Sequence, residues 1–278
     1  MLSLYEKTTF GCSKLITNEY STSFSLGIKT LDKSLHEPIY AIYGFVRYAD
    51  EIVDTFHEYD KPKLLAHFKE ETYRAIKERI SLNPVLHSFQ KIVHQYNIPL
   101  HLIEAFLYSM EMDLYKNQYD EEKYKQYIYG SAEVVGLMCL CVFCEGDRSL
   151  YESLEESAKA LGSAFQKVNF LRDMKSDYKE RGRIYFPNVN FMQFDSNAKN
   201  LIEQDIQKDF EKAYEGIVRL PKKARAGVYL AYVYYLKLFQ KIRKAPPKKV
   251  LSERIRVPDV SKLLLFIQTY FKMKLNVV

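Results

Sequence analysis

A chain of 278 residues is long enough to bury one large core without a split into domains. Its ten glycines and nine prolines, with Gly at about half its usual share, exclude a low-complexity or loop-dominated chain and point to long helices. A net charge of only +6 suits an anionic substrate, an anionic membrane face or nucleic acid, and alone excludes none of them.

In chain order, the N-terminal MLSLYEKTTFGCSK lacks a charged head followed by an apolar core. No secretory signal is expected there, and the cytoplasm is the expected compartment. From Leu35 to Thr55 the residues Ile39, Ile42, Tyr43, Val46, Ala49 and Val53 recur three and four apart, the period of a helix with one buried face, and Pro38 suits its first turn. The same reading predicts helices over 61–80, 84–95, 99–116, 121–144, 148–179, 197–218, 222–243 and 259–274, with no strand. Breaks at Asn83-Pro84, Asn97-Ile98-Pro99, Gly182 to Pro187 and Ala245-Pro246-Pro247 carry the chemistry that stops helices. None is long enough to be an interdomain linker, so one all-α domain over 1–278 is expected.

Cys139, Cys141 and Cys144 lie within the apolar run VVGLMCLCVFC, and Cys12 stands apart. Without a matching second cluster or a histidine they read as buried free thiols and not as a zinc site. No run reaches the 18 uncharged apolar residues of a membrane span. The C-terminal LLLFIQTYFKMKLNVV mixes apolar and basic residues at helical spacing, so it either completes the bundle or touches a membrane surface.

Two constellations carry chemistry. In YGFVRYADEIVD, Arg47, Asp50 and Asp54 are spaced three and four apart and share one helix face. Acidic pairs at that spacing mostly line solvated faces, but these sit among the apolar stripe, where unpaired carboxylates are costly. In LGSAFQKVNFLRDMKSDYKERGRIYFP, Gln166, Asn169, Asp173 and Asp177 follow at three, four and four. Such hard oxygen donors suit magnesium, which keeps several waters and binds substrate phosphates at its other positions. No His or Cys intrudes to favour zinc. Two oxygen-bearing faces confronting each other across a helical bundle could clamp a diphosphate, with Arg47, Arg172 and Arg183 as the nearest candidate cations. A diphosphate leaves an allylic carbon readily once its developing charge is neutralised.

These residues, together with STSFSLGI near the start and YIYGSAEVVG in the middle, closely resemble the squalene and phytoene synthases over nearly the whole chain. The resemblance implies an isoprenoid synthase fold, a single helical bundle around a central cavity, with Asp50 and Asp54 facing Asp173 and Asp177 and with Asn169 as a further metal ligand. It also implies cavity or diphosphate-binding roles for Ser23, Tyr43, Arg47, Gln166, Arg172, Arg183, Tyr185 and Tyr235, and a carbocation-steering or proton-accepting role for Tyr129. Tyrosine faces stabilise passing cations, and a dry tunnel protects them.

Three departures stand out. Glu51 replaces a common Asp while still offering a carboxylate. Glu133 replaces a small residue and reads as solvent-facing, with an extra acid near the cavity as the alternative. Tyr20 and Thr22 stand where some relatives have basic residues. Asp113 in MEMDLY either hydrogen-bonds the facing motif or caps local structure.

The expected reaction is head-to-head condensation of two geranylgeranyl diphosphates to phytoene through a cyclopropyl diphosphate. It would use Mg2+, with Mn2+ as a substitute, and no NADPH. Dehydrosqualene or squalene formation from two farnesyl diphosphates is the near alternative, and a non-catalytic assembly protein of the same fold the remote one. The expected partners are small isoprenoid diphosphates and no nucleic acid, with peripheral contact at the inner membrane face left open for hydrocarbon release.

Overall fold

The computed structural model describes residues 2–115, 119–187, 189 and 194–258; the helix expected over 259–274 lies outside them. Helix accounts for 82% of the described residues, with no strand among them. The elements are α1 (Leu2–Tyr20), α2 (Thr22–Thr30), α3 (Lys33–Asp54), α4 (Lys61–Glu78), α5 (Pro84–Gln95) and α6 (Leu100–Tyr115). They continue with α7 (Glu121–Ile128), α8 (Val134–Cys144), α9 (Arg148–Arg181), α10 (Ser196–Ile217), α11 (Lys222–Arg243) and α12 (Pro247–Ser252).

Most starts are set by short polar side chains that satisfy first-turn amides. Asp32, Asp60, Asn83, Asp120, Asp147 and Asp195 each accept from a backbone N–H two or three residues on. Because Asp32 caps α3, that helix begins at Lys33, and Pro38 falls inside it instead of in its first turn. The ring has no N–H to give the Ser34 carbonyl.

Helices α1 and α2 were not foreseen, and α1 shows why. Its buried residues are Thr9, Ser13 and Thr17, whereas Leu2, Leu4 and Leu15 are exposed, so no apolar stripe marks the inner face. The buried hydroxyls find partners nearby: Ser13 Oγ shares a hydrogen bond with Ser88 Oγ at 2.8 Å, and Thr17 Oγ1 donates to the Ser13 carbonyl at 2.9 Å. Small residues let the helices close up, and a Cβ added at Gly44 of α3 would stand 3.0 Å from Ser13 Oγ.

Between α7 and α8 the helix widens to a π turn over Tyr129–Glu133, where the Val134 N–H reaches back to the Tyr129 carbonyl. Glycine makes both of its contacts possible. A Cβ at Gly130 would lie 2.5 Å from the Ala105 carbonyl of α6, and one at Gly162 of α9 would lie 2.6 Å from the Ala132 carbonyl. By length and composition Glu121–Cys144 is apolar enough to cross a membrane, but Glu133 interrupts it, and Val134, Leu137, Met138 and Val142 are buried in the core.

Two apolar clusters hold the bundle. The first joins α3, α4, α5, α6 and α8 around Phe45, which stacks on Phe89 at 3.9 Å between ring centroids and meets Phe106 at 5.3 Å. The second joins α9, α10 and α11 around Phe210 and Phe239. On the α9–α10 contact, Lys167 is buried between Asp205 and Asp209, with Nζ 2.8 Å from Asp209 Oδ2. Phe45 is fully buried, so Phe45→Ala is expected to cost about 3–5 kcal/mol, read as a lower midpoint in urea unfolding with the slope unchanged.

Candidate active site

A cavity of about 640 Å³ opens between the two apolar clusters. On α3 its lining runs from Ile39, Ile42 and Val46 to Arg47, Asp50 and Asp54. On α9 it runs from Leu154, Ala158 and Phe165 to Asn169, Asp173 and Asp177. Both helices therefore pass from apolar to acidic in chain direction, and Arg183 fixes their relation.

Gly182 ends α9 in the left-handed region with φ 66°. This turns the chain so that Arg183 Nη1 lies 3.0 Å from Asp54 Oδ1, at the end of α3. The same guanidinium donates through Nη2 to the Asp113 carbonyl at 2.9 Å and stands 3.5 Å from Asp113 Oδ1. The C-terminal ends of α3 and α9 thus meet at one end of the cavity. Their partial negative charge adds to that of the carboxylates.

Asp113, left open by the sequence, proves to be the hub beneath this end. It is buried and accepts from the Tyr127 hydroxyl at 2.7 Å and the Tyr119 hydroxyl at 3.3 Å. Burial pushes its carboxyl up to about 6, against the pull of Arg183 and the tyrosine hydroxyls. Asp50 rises to about 7, chiefly through burial and then through repulsion from Asp54, with Arg47 opposing. A cation beside Asp50 would relieve that repulsion.

On α9, Asp173 accepts from Arg172 Nε at 3.1 Å, and its Oδ1 is 2.7 Å from Arg254 Nε. Asn169 Oδ1 accepts from the Tyr235 hydroxyl at 3.3 Å. Among the described residues no three His, Cys, Asp or Glu side chains form a ready-made cage. The oxygen donors instead form two incomplete groups, one on each helix. They fit a hard ion whose shell is completed by water and phosphate, and an ion at Asp173 must displace a guanidinium N–H.

Of the residues singled out from sequence, Tyr43, Gln166, Arg172, Tyr185 and Tyr235 line this cavity with Arg47 and the aspartates. Arg183 lies beneath it as the tie just described. Ser23 lies in a small neighbouring groove with Leu26 and Tyr234, while Ser21 takes the cavity position. Tyr129 packs against the first apolar cluster, away from the wall, and Tyr127 and Ser131 line it instead. Lining residues on this segment are 127, 131, 132, 135, 136, 139, 140 and 143, one helix face, with 129 on the opposite side. Glu51 is absent from the wall and pairs with Arg47.

Glu133, expected to face solvent, is half-buried among Asp209, Lys159 and Lys167. Burial raises it to about 7, with Asp209 adding to the push and the lysines opposing. The folded state therefore holds this proton more tightly than the unfolded chain, and stability falls as pH rises towards 7. Glu133→Gln is expected to match the wild type near pH 4.5 and to gain on it up to pH 7, with a constant advantage above, measured as urea midpoints across pH.

A family model described as squalene/phytoene synthase matches residues 17–261. A phytoene synthase of Arthrospira platensis is 28% identical over 276 residues, covering 90% of this chain and 88% of its own. The 15-cis-phytoene synthase of Synechocystis sp. is 28% identical over 277 residues, covering 90% of this chain and 80% of its own. Among solved structures, a dehydrosqualene synthase in complex with ligand superposes with a TM-score of 0.82 at 21% identity, covering 97% of this chain and 98% of that one.

Proposed function

The chain belongs to the squalene/phytoene synthase family and carries the isoprenoid synthase fold, and on that premise we propose that it joins two geranylgeranyl diphosphates head to head to give phytoene. The observation that carries this reading is the meeting of two carboxylate-bearing helix ends at one end of an otherwise apolar cavity. The two cyanobacterial relatives named as phytoene synthases support the choice of product.

In this reading the diphosphates sit at the acidic end and the hydrocarbon tails lie along the apolar stretch of α3 and α9. Mg2+ bound by Asp50, Asp54, Asn169, Asp173 and Asp177 would supply the positive charge that lets diphosphate leave. Arg47 and Arg172 meet the phosphate oxygens, a task suited to a planar guanidinium. The first allylic cation is attacked by the double bond of the second substrate, giving a cyclopropyl diphosphate that ionises in turn and rearranges. Aromatic faces at the cavity, Tyr235 stacked on Phe165 at 3.9 Å and Tyr185 on Phe170 at 4.0 Å, favour cations passing near them. The apolar walls exclude water that would quench these cations. The reaction ends by proton loss, so no NADPH is consumed, and the hydrocarbon leaves at a membrane surface.

Incubating the protein with Mg2+ and geranylgeranyl or farnesyl diphosphate, without and with NADPH, tests this by mass analysis of the extracted hydrocarbon. A C40 triene without NADPH is expected. C30 dehydrosqualene would place the error in chain length, squalene only with NADPH would place it in the final step, and no hydrocarbon from folded protein would overturn the reading. Asp50→Asn and Asp173→Asn are each expected to lower kcat by about 10²-fold or more, with the unfolding midpoint close to that of the wild type.

A further inference from the structure

Arg47 is held on two sides by residues outside the metal-binding set. Its Nε lies 3.0 Å from Glu51 Oε2, and its Nη2 donates to the same oxygen. Over its face, the Tyr20 ring has its centroid 4.5 Å from Arg47 Cζ. The Tyr20 ring on one side and Glu51 on the other thus bracket Arg47 and join the end of α1 to the last turns of α3.

The alternative partner for Arg47 is Asp50, three residues on along the same face and close enough to act on it electrostatically. Were the guanidinium to fold onto Asp50, it would neutralise a carboxylate that the site needs free. Glu51, four residues on, takes the Nε–Nη2 edge and leaves the Nη1 end for another acceptor. The Tyr20 face restricts the remaining rotation, and Tyr20 itself is half exposed at the cavity rim. An arginine held in this way loses less rotamer freedom when it meets an anion.

We propose that Tyr20 and Glu51 are positioning residues that fix Arg47 so that its open end receives a substrate diphosphate. The inference rests on the proposed use of this cavity for diphosphates. It gives one shared role to two positions that depart from the family pattern. Glu51 holds an arginine here in place of joining the metal-binding carboxylates, and Tyr20 supplies an aromatic face in place of a second cation.

The test is calorimetric binding of inorganic pyrophosphate with Mg2+ to the full chain, paired with steady-state kinetics on the isoprenoid diphosphate. Tyr20→Ala and Glu51→Gln are each expected to weaken pyrophosphate binding about three- to tenfold and to raise KM more than they lower kcat. Tyr20→Phe, which keeps the ring, should retain most of the affinity. In an Arg47→Ala background, Tyr20→Ala should add no further loss. Equal losses from Tyr20→Ala with and without Arg47, or unchanged affinity in both single variants, would overturn the positioning role alone. A wild-type protein that binds no pyrophosphate would overturn both this role and the functional reading. The predicted pattern without any hydrocarbon product would uphold the positioning and overturn the reaction.

Discussion

Arg183 and the carboxylates around it set the terms for the rest of this structure. Asp54 ends α3, Asp113 is buried near the end of α6, and Asp50 stands one turn before Asp54; left alone, these like charges would repel one another in a poorly solvated place. One guanidinium, delivered by the left-handed turn at Gly182, bonds to Asp54 and to the main chain of Asp113. Removing one partner from such a buried arrangement leaves uncompensated charge, which makes it far more restrictive than a surface ion pair. The ends of α3 and α9 are thereby brought together, and the acidic stretch of each helix faces the other instead of solvent.

The two apolar clusters make this charge concentration tolerable. The Phe45–Phe89–Phe106 stack anchors α3 against α5 and α6, and the Phe210–Phe239 pair anchors α10 against α11. Between them the packing stays open, because Gly136, Ala158, Gly162 and Gly216 present little side-chain volume to the cavity. The same small residues let neighbouring helices approach until an added Cβ at Gly162 or Gly216 would collide with its neighbour. Close helix contact and cavity space thus come from the same positions. On the proposed reading, metal ions held by the carboxylates would stabilise an anionic leaving group at that end, and the apolar walls would keep water from a cation formed further in.

How much of this was legible in the sequence follows from what each residue buries. The helices from α3 to α11 announce themselves because their buried faces are apolar at helical spacing, and Asp or Asn caps mark the starts of α3, α4, α5, α7, α9 and α10. Helix α1 inverts that rule, burying Thr9, Ser13 and Thr17 while exposing leucines, so periodicity misses it. The aspartates on α3 and α9 were legible from their three- and four-residue spacing. Asp113 was not settled, since its partners Tyr119, Tyr127 and Arg183 come from three separate segments. Two surprises lie on the segment around the π turn: Tyr127 and Tyr129, two apart and so on opposite helix faces, go to the cavity and the core respectively, and Glu133 sits in a half-buried cluster with lysines. Arg254, which reaches Asp173 from beyond α12, carried no local pattern that could have marked it.

On the proposed reading, the two helix ends act together on one diphosphate through metal ions held between them. The most direct measurement is a crystal structure of the protein soaked with Mn2+ and a non-reactive thiodiphosphate analogue, with data collected at the manganese edge. Anomalous peaks are expected between Asp50 and Asp54 on one side and Asn169, Asp173 and Asp177 on the other, with the analogue's phosphates bridging them and Arg254 displaced from Asp173. Manganese bound elsewhere, or an analogue whose phosphates lie away from both helix ends, would contradict that reading.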